Sequence, residues 1–177
     1  GGFLIDIVER FMNSLRKNIP DKKERYKVIV EECLYFSDIN PTNIYISKLL
    51  LDPYNKFDLK YNEGNTLELD VKDKWGLDGF DAVIGNPPYN LTENSRNILW
   101  NKFVELAIDI LKTNKYLLFV HPALWRKPVS NKSKIYGLYN KMVKQNTIQY
   151  LEIHDSSDGM KIFKCGTRYD WYLLVKN

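Results

Sequence analysis

The stretch Phe80-Asp81-Ala82-Val83-Ile84-Gly85-Asn86-Pro87-Pro88-Tyr89 joins a compact apolar run to a turn that cannot prolong it. Ala82, Val83 and Ile84 have the composition of a strand buried in a sheet. Pro87 and Pro88 then stop the ladder, because each fixes φ near about −65° and lacks a backbone N–H. A Pro-Pro turn alone says only that the chain bends. An Asn before the pair and a Tyr after it, at the end of such a strand, form a rarer pattern.

Working outward, the alternation of elements sets the fold class. Phe3, Leu4, Ile7, Val8, Phe11, Met12 and Leu15 recur at spacings of three and four, predicting a helix over residues 3–15. Pro20-Asp21 breaks it, and a charged link is expected beyond. Leu34-Tyr35-Phe36 reads as a short buried strand, with Cys33 beside it as a core thiol. Asn40-Pro41 is a cap and first-turn signal for a helix reaching about Leu51. Residues 52–64 read as irregular and residues 66–71 as a short strand. Past the quoted stretch, residues 97–111 form an amphipathic pattern and residues 116–120 a strand. A helix is expected over residues 132–145, interrupted by Gly137. Residues 148–153 and 171–175 read as strands, with a loop over residues 156–167. Residues 128–134 read as a mobile insertion. Strands alternating with helices imply an α/β domain with a mostly parallel sheet. The last two strands, with no convincing helix between them, are expected to pair antiparallel at an edge.

Composition narrows the functional classes. The 177 residues suffice for one domain, with formal net charge +4 and a pI near 8.9. Such a balance permits a polyanionic partner without requiring one. Basic residues gather at 16–25 and 126–134. Aromatic residues make up 14%, a surplus that suits stacking on flat ligands as well as core packing. Cys33 and Cys165 stand far apart, without metal-ligand spacing. No apolar run is long enough to span a bilayer and no signal-peptide pattern opens the chain, so the sequence predicts a cytoplasmic protein.

Ligands of open α/β sheets bind outside the carboxyl ends of the strands, and three such ends carry candidate residues. At the first, the prolines leave local carbonyls free, and Asn86 adds a side-chain acceptor. Two acceptors aimed at one NH2 group hold it and free its lone pair for attack on a methyl sulfonium. Tyr89 offers a face for base stacking. At the second, Asp38 can accept from both hydroxyls of a ribose, with Ile39 beside it; a turn or helix-cap aspartate is the plain alternative. At the third, Asn65 in Gly64-Asn65-Thr66-Leu67 can bond an adenine edge, or simply form a turn.

These residues resemble a known family. Residues 80–89 look like motif IV of amino-group methyltransferases, and within these the chain resembles the adenine-N6 DNA methyltransferases of restriction-modification systems. Ser37-Asp38-Ile39-Asn40-Pro41 is similar to the family's motif II, whose acidic residue holds the cofactor ribose while Ile39 would pack on its adenine. Asn65 stands where the family usually has Asp. Gly1-Gly2-Phe3-Leu4-Ile5 resembles the tail of the glycine-rich motif I. Phe163, in Met160-Lys161-Ile162-Phe163, stands where related adenine enzymes place an aromatic against an extruded base.

The resemblance implies a Rossmann-like, S-adenosylmethionine-dependent methyltransferase fold with an antiparallel edge hairpin and without its first strand. It implies a partial catalytic domain over residues 1–177, with the target-recognition domain absent and the chain inactive alone. S-adenosylmethionine is the implied cofactor, bound by Gly1, Gly2, Phe3, Asp38, Ile39 and Asn65, and no metal is required. The implied reaction is methyl transfer to a flipped adenine of double-stranded DNA at Asn86, Pro87, Pro88 and Tyr89, with Tyr89 and Phe163 against the base. A restriction endonuclease or specificity domain is the implied partner. The same motif also occurs in enzymes acting on a protein glutamine or an RNA base, and a methyltransferase-like fragment can serve as a non-catalytic binding module. His121 and His154 qualify as general bases only by residue type.

Overall fold

The computed structural model describes residues 2–90 and 98–177; Gly1 and residues 91–97 lie outside the described residues. The chain divides into two compact units, Gly1–Asp70 and Val71–Asn177.

In the first unit, α1 (Gly2–Ser14) presents the expected apolar stripe. Its Leu4, Ile7, Phe11 and Met12, with Leu15 just beyond it, pack against the cluster of Ile29, Val30, Leu34 and Leu51. The expected charged link is instead a helix, α2 (Lys22–Val28), running into a π-turn at Ile29–Cys33. Asp21 starts α2, because its carboxylate accepts from the Glu24 N–H at 2.8 Å and satisfies a donor the helix cannot. Cys33 is exposed, not a core thiol, because the π-turn rotates it outward while Ile29 and Val30 face in.

The strand β1 (Tyr35–Asp38) pairs in parallel with β2 (Lys60–Glu63), inside the segment expected to be irregular. Between them α3 (Pro41–Leu51) begins as expected, with Asn40 accepting from the Thr42 N–H at 2.9 Å. Residues 66–71 hold no strand. Asn65 caps a 3-10 turn, Thr66–Glu68, and its side chain outcompetes the extended conformation.

The second unit opens with α4 (Val71–Trp75) and is built on a four-stranded sheet. Its strands are β3 (Phe80–Gly85), β4 (Leu111–Pro122), β5 (Thr147–His154) and β6 (Tyr169–Val175), in the order β3-β4-β6-β5. β3 and β4 are parallel, and β6 is antiparallel to both its neighbours. β3, β4 and β5 therefore run the same way, and the last two strands form the expected antiparallel edge pair.

One sheet face carries the core. Leu117 and Phe119 of β4 and Tyr172 and Leu174 of β6 meet Trp100, Val104, Ala107 and Ile108 of α5 (Trp100–Asp109). Gly85 is fixed by this packing: a Cβ there would stand 3.0 Å from the Phe119 ring. The long helix expected over residues 132–145 is replaced by turns and a π-turn, Asn140–Lys144, because Gly137 adopts φ +86° and breaks the helical path. Residues 128–134 are tied down rather than loose: Val129 packs on the core, Ile135 is buried within it, and Ser133 N–H donates to Ser130 O at 2.9 Å. Where a loop was expected, α6 (Ser156–Phe163) forms, with Asp155 accepting from the N–H groups of Ser157 and Asp158. Among the described residues, no helix is long and apolar enough to cross a membrane.

Candidate active site

The shared direction of β3, β4 and β5 brings their carboxyl ends to one edge of the second unit. There the chain leaves β3 as Asn86-Pro87-Pro88-Tyr89. Pro87 is buried and anchors the turn, whereas Asn86 and Pro88 are exposed. Among the described residues the Asn86 amide has no hydrogen-bond partner, so its carbonyl oxygen is available to a ligand donor. The Tyr89 carbonyl accepts from Leu99 N–H at 3.0 Å, pinning the far end of the turn to the start of α5.

Tyr89 is half-buried, and its hydroxyl lies out of solvent with no partner among the described residues. Burial, with smaller contributions from Cys165 and Tyr169, pushes that hydroxyl up to about 12, so it stays protonated at neutral pH. The Phe163 ring meets Tyr89 edge-on, 6.0 Å between centroids at 69°. Phe163 in turn meets Tyr169 at 4.9 Å and 88°, and Tyr169 lies flat on His154 at 4.4 Å and 1°. The expected pair Tyr89 and Phe163 is thus together. A base sandwiched flat would need about 7 Å between parallel rings, twice a van der Waals separation of roughly 3.5 Å. The observed edge-on pair leaves no such slot, so a base must turn one ring aside or meet Phe163 edge-on.

His121 does not face the turn as a free base. It is wholly buried, stacked on Trp100 at 4.4 Å and 16°. Its Nδ1 lies 3.1 Å from Pro122 O, which can only accept, so Nδ1 carries the proton and Nε2 accepts from the Tyr172 hydroxyl at 2.9 Å. Desolvation lowers its pKa to about 4, keeping it neutral. Opposite it in register, Asp170 is also wholly buried. Burial raises the Asp170 carboxyl, and the Arg126 guanidinium, with Nε 3.0 Å away, opposes that rise. His154 is held between Glu152 at 2.9 Å and Asp158 at 3.3 Å, so both ring nitrogens are engaged.

The cofactor candidates belong to the first unit. The Asp38 carbonyl accepts from Gly64 N–H at 3.0 Å, which brings Asp38, Ile39 and Asn65 to the shared carboxyl end of β1 and β2. Asp38 accepts from Asn40 N–H at 2.8 Å and from Asn43 Nδ2 at 2.9 Å, one bond on each carboxylate oxygen. Each oxygen keeps a lone pair, so a vicinal diol still fits. Ile39 is 71% exposed, an apolar surface that the unit's own core leaves uncovered. Asn65 is similarly part-engaged: its oxygen accepts from Leu67 N–H and its nitrogen donates to Glu68 at 2.6 Å, which leaves one lone pair and one N–H for an adenine edge. Gly2 and Phe3 open α1, Phe3 is 51% exposed, and a Cβ on Gly2 would meet open space; Gly1 lies outside the described residues.

Sequence reasoning passed over the supports of these groups. Asn62, buried in β2, donates to the Ser37 hydroxyl at 3.1 Å, which lies 2.7 Å from that of Thr66. This chain braces the strand ends beneath Asp38 and Asn65. Its trace in sequence is a polar residue central to a short strand, too weak to single out. Gly159 was a readable signal: a Cβ there would stand 2.1 Å from Thr167 O, so only glycine lets α6 lie close enough to place Phe163.

The model of the Eco57I restriction-modification methylase family matches residues 32–163. A curated relative, an uncharacterized adenine-specific methylase of Mycoplasma pneumoniae, is 28% identical over 158 residues, covering 84% of this chain and 36% of the relative. Among solved structures, the M protein of the type I restriction enzyme EcoKI superposes with a TM-score of 0.71 at 15% identity, over 100% of this chain and 38% of that one. A Listeria monocytogenes protein assigned to the class I S-adenosylmethionine-dependent methyltransferases gives 0.53 at 16% identity, over 80% and 44%. The chain spans about a third of the length of the curated relative and of the EcoKI protein. Its fold is the Rossmann-like fold of methyltransferases that use S-adenosylmethionine, and the chain belongs to the Eco57I restriction-modification methylase family.

Proposed function

We propose that this chain supplies catalytic residues of a DNA adenine-N6 methyltransferase in a restriction-modification system. The carrying observation is the turn after β3. Asn86 stands exposed, its amide unengaged among the described residues, on a proline-fixed turn that lacks two N–H donors, close to Tyr89 and Phe163. The Asn86 side-chain oxygen and the Pro87 carbonyl accept from the two N–H bonds of the adenine amino group. Held this way, the nitrogen moves toward tetrahedral geometry and its lone pair localises. Tyr89 and Phe163 bear on the base, which must leave the duplex stack at a cost of a few kcal/mol to reach them. S-adenosylmethionine, when bound, supplies an electrophilic methyl group on a sulfonium sulfur. Asp38 accepts from its ribose hydroxyls and Ile39 covers its adenine ring, with Gly1, Gly2, Phe3 and Asn65 as further contacts. As the nitrogen–carbon bond forms, the carbon–sulfur bond breaks, its pair stays on sulfur, and the amino group releases a proton to water.

The partner is double-stranded DNA, with a restriction endonuclease or specificity subunit alongside, and residues 1–177 act as part of a larger catalytic domain. Nucleoside mass spectrometry of DNA incubated with the enzyme and S-adenosylmethionine tests the reading. N6-methyldeoxyadenosine is the expected product. Methylation of RNA or of a protein glutamine, with DNA untouched, would overturn it.

A further inference from the structure

Residues 110–151 contain eight Lys or Arg and no Asp or Glu. The fold sorts these cations by the end of the sheet. At the amino ends of the strands three of them are neutralised, while exposed Lys144 lies over the Tyr139 ring at 5.9 Å. Lys112 and Lys115 pair with Asp81 at 3.2 and 2.8 Å, and Lys141 pairs with Asp109 at 2.7 Å. At the carboxyl end, the chain leaving β4 carries Arg126, Lys127, Lys132 and Lys134. Arg126 is spent on buried Asp170. Lys127 and Lys132 are exposed and make no ion pair with any described residue, whereas Lys134, also exposed, is already engaged.

This segment is held in place. Trp125 and Ile135 bury in the core on either side of it. Asn101, in the first turn of α5, donates to the Lys134 carbonyl at 3.0 Å. Leu99, two residues earlier, donates to the Tyr89 carbonyl. A short chain of bonds thus links the base-binding turn to the backbone that carries the lysines.

We infer that Lys127 and Lys132 form a phosphate-contacting surface that seats the DNA backbone flanking the base at Asn86–Tyr89. The inference rests on the DNA reading above. Duplex DNA is the partner because the surface is cationic with no acidic neighbour in its segment, and because contacts to phosphates fix register on a duplex without reading sequence.

The test is anisotropy of a fluorescent duplex across a salt series, comparing the unsubstituted chain, Lys127→Ala/Lys132→Ala, and the opposite-end control Lys112→Ala/Lys141→Ala. Each phosphate contact contributes about 0.9 to the slope of log affinity against log salt. The carboxyl-end variant is expected to lose about two of that slope. Over a fourfold rise in salt its affinity then falls by about 12-fold less than that of the unsubstituted chain. The control should keep its slope within about one. Equal slopes for the carboxyl-end variant and the unsubstituted chain, or equal losses in both variants, would overturn this surface while leaving the DNA reading intact. No duplex binding by the unsubstituted chain at low salt would overturn the DNA reading and this surface with it.

Discussion

Acid should unfold the second unit through His121. The ring is wholly buried and neutral, locked between Pro122 O and the Tyr172 hydroxyl and stacked on Trp100. Its pKa falls from 6.5 to about 4 because the cation would be stranded away from water. Between those values the unfolded chain binds a proton that the fold refuses, so stability drops as the pH falls. A displacement of about 2.5, at about 1.36 kcal/mol each, corresponds to a full loss on the order of 3 kcal/mol. From about pH 7.5 to about pH 4.5 the loss amounts to about 2.5 kcal/mol. Asp170 faces His121 across the ladder and acts oppositely: its raised carboxyl takes up a proton more readily in the fold, which stabilises on acidification. Arg126 keeps its charge throughout. All four tryptophans, Trp75, Trp100, Trp125 and Trp171, lie in this unit, so tryptophan fluorescence during urea unfolding reports it. The variant His121→Gln will be less stable at neutral pH, but its loss on acidification should be about 2.5 kcal/mol smaller. Equal losses in both proteins would refute a neutral buried His121 as the source.

Other substitutions probe the neighbouring contacts. Tyr89→Phe removes a buried hydroxyl that has no partner among the described residues, and leaving one unpaired costs about 1–3 kcal/mol, so the urea midpoint should rise; a fall of more than about 1 kcal/mol would mean the hydroxyl is bonded. Gly159→Ala places a Cβ 2.1 Å from Thr167 O; α6 must shift at a cost of about 1–3 kcal/mol or more, and DNA methylation should drop with it, whereas unchanged stability would contradict that packing. Asp38→Ala removes the acceptor for Asn40 and Asn43 together with the proposed ribose contact, so calorimetry should find S-adenosylmethionine affinity at least about tenfold lower, a loss of about 1.4 kcal/mol. Unaltered affinity would exclude Asp38 from the cofactor site.

What the sequence made legible was whatever one side-chain pattern decides. The stripe from Phe3 to Leu15 became α1, whose inner side packs on the first unit's core, and the apolar run ending at Gly85 became β3, although Ala82 and Ile84 stand exposed rather than buried in the sheet. The pairing of Tyr89 with Phe163 was expected from resemblance and is present, but their edge-on geometry depends on packing that no local pattern encodes. β2 was missed because Lys60-Tyr61-Asn62-Glu63 is polar, and only the pairing with β1 makes it a strand. α2 and α6 open on the caps Asp21 and Asp155, but Pro20 and Gly159 beside them are breaker signals that conflict with those caps in the sequence. The helix expected over residues 132–145 failed at one backbone angle, at Gly137.

The account turns on Asn86. In the enzyme that contains this chain, Asn86→Ala should leave S-adenosylmethionine affinity within about twofold, since the proposal assigns Asn86 to the amino group alone. Methyl transfer to DNA should fall by at least about 100-fold, because losing an acceptor made stronger at the transition state costs about 2.7 kcal/mol or more. A variant that transfers methyl groups at near-normal rate would contradict the proposed role of the Asn86-Pro87-Pro88-Tyr89 turn.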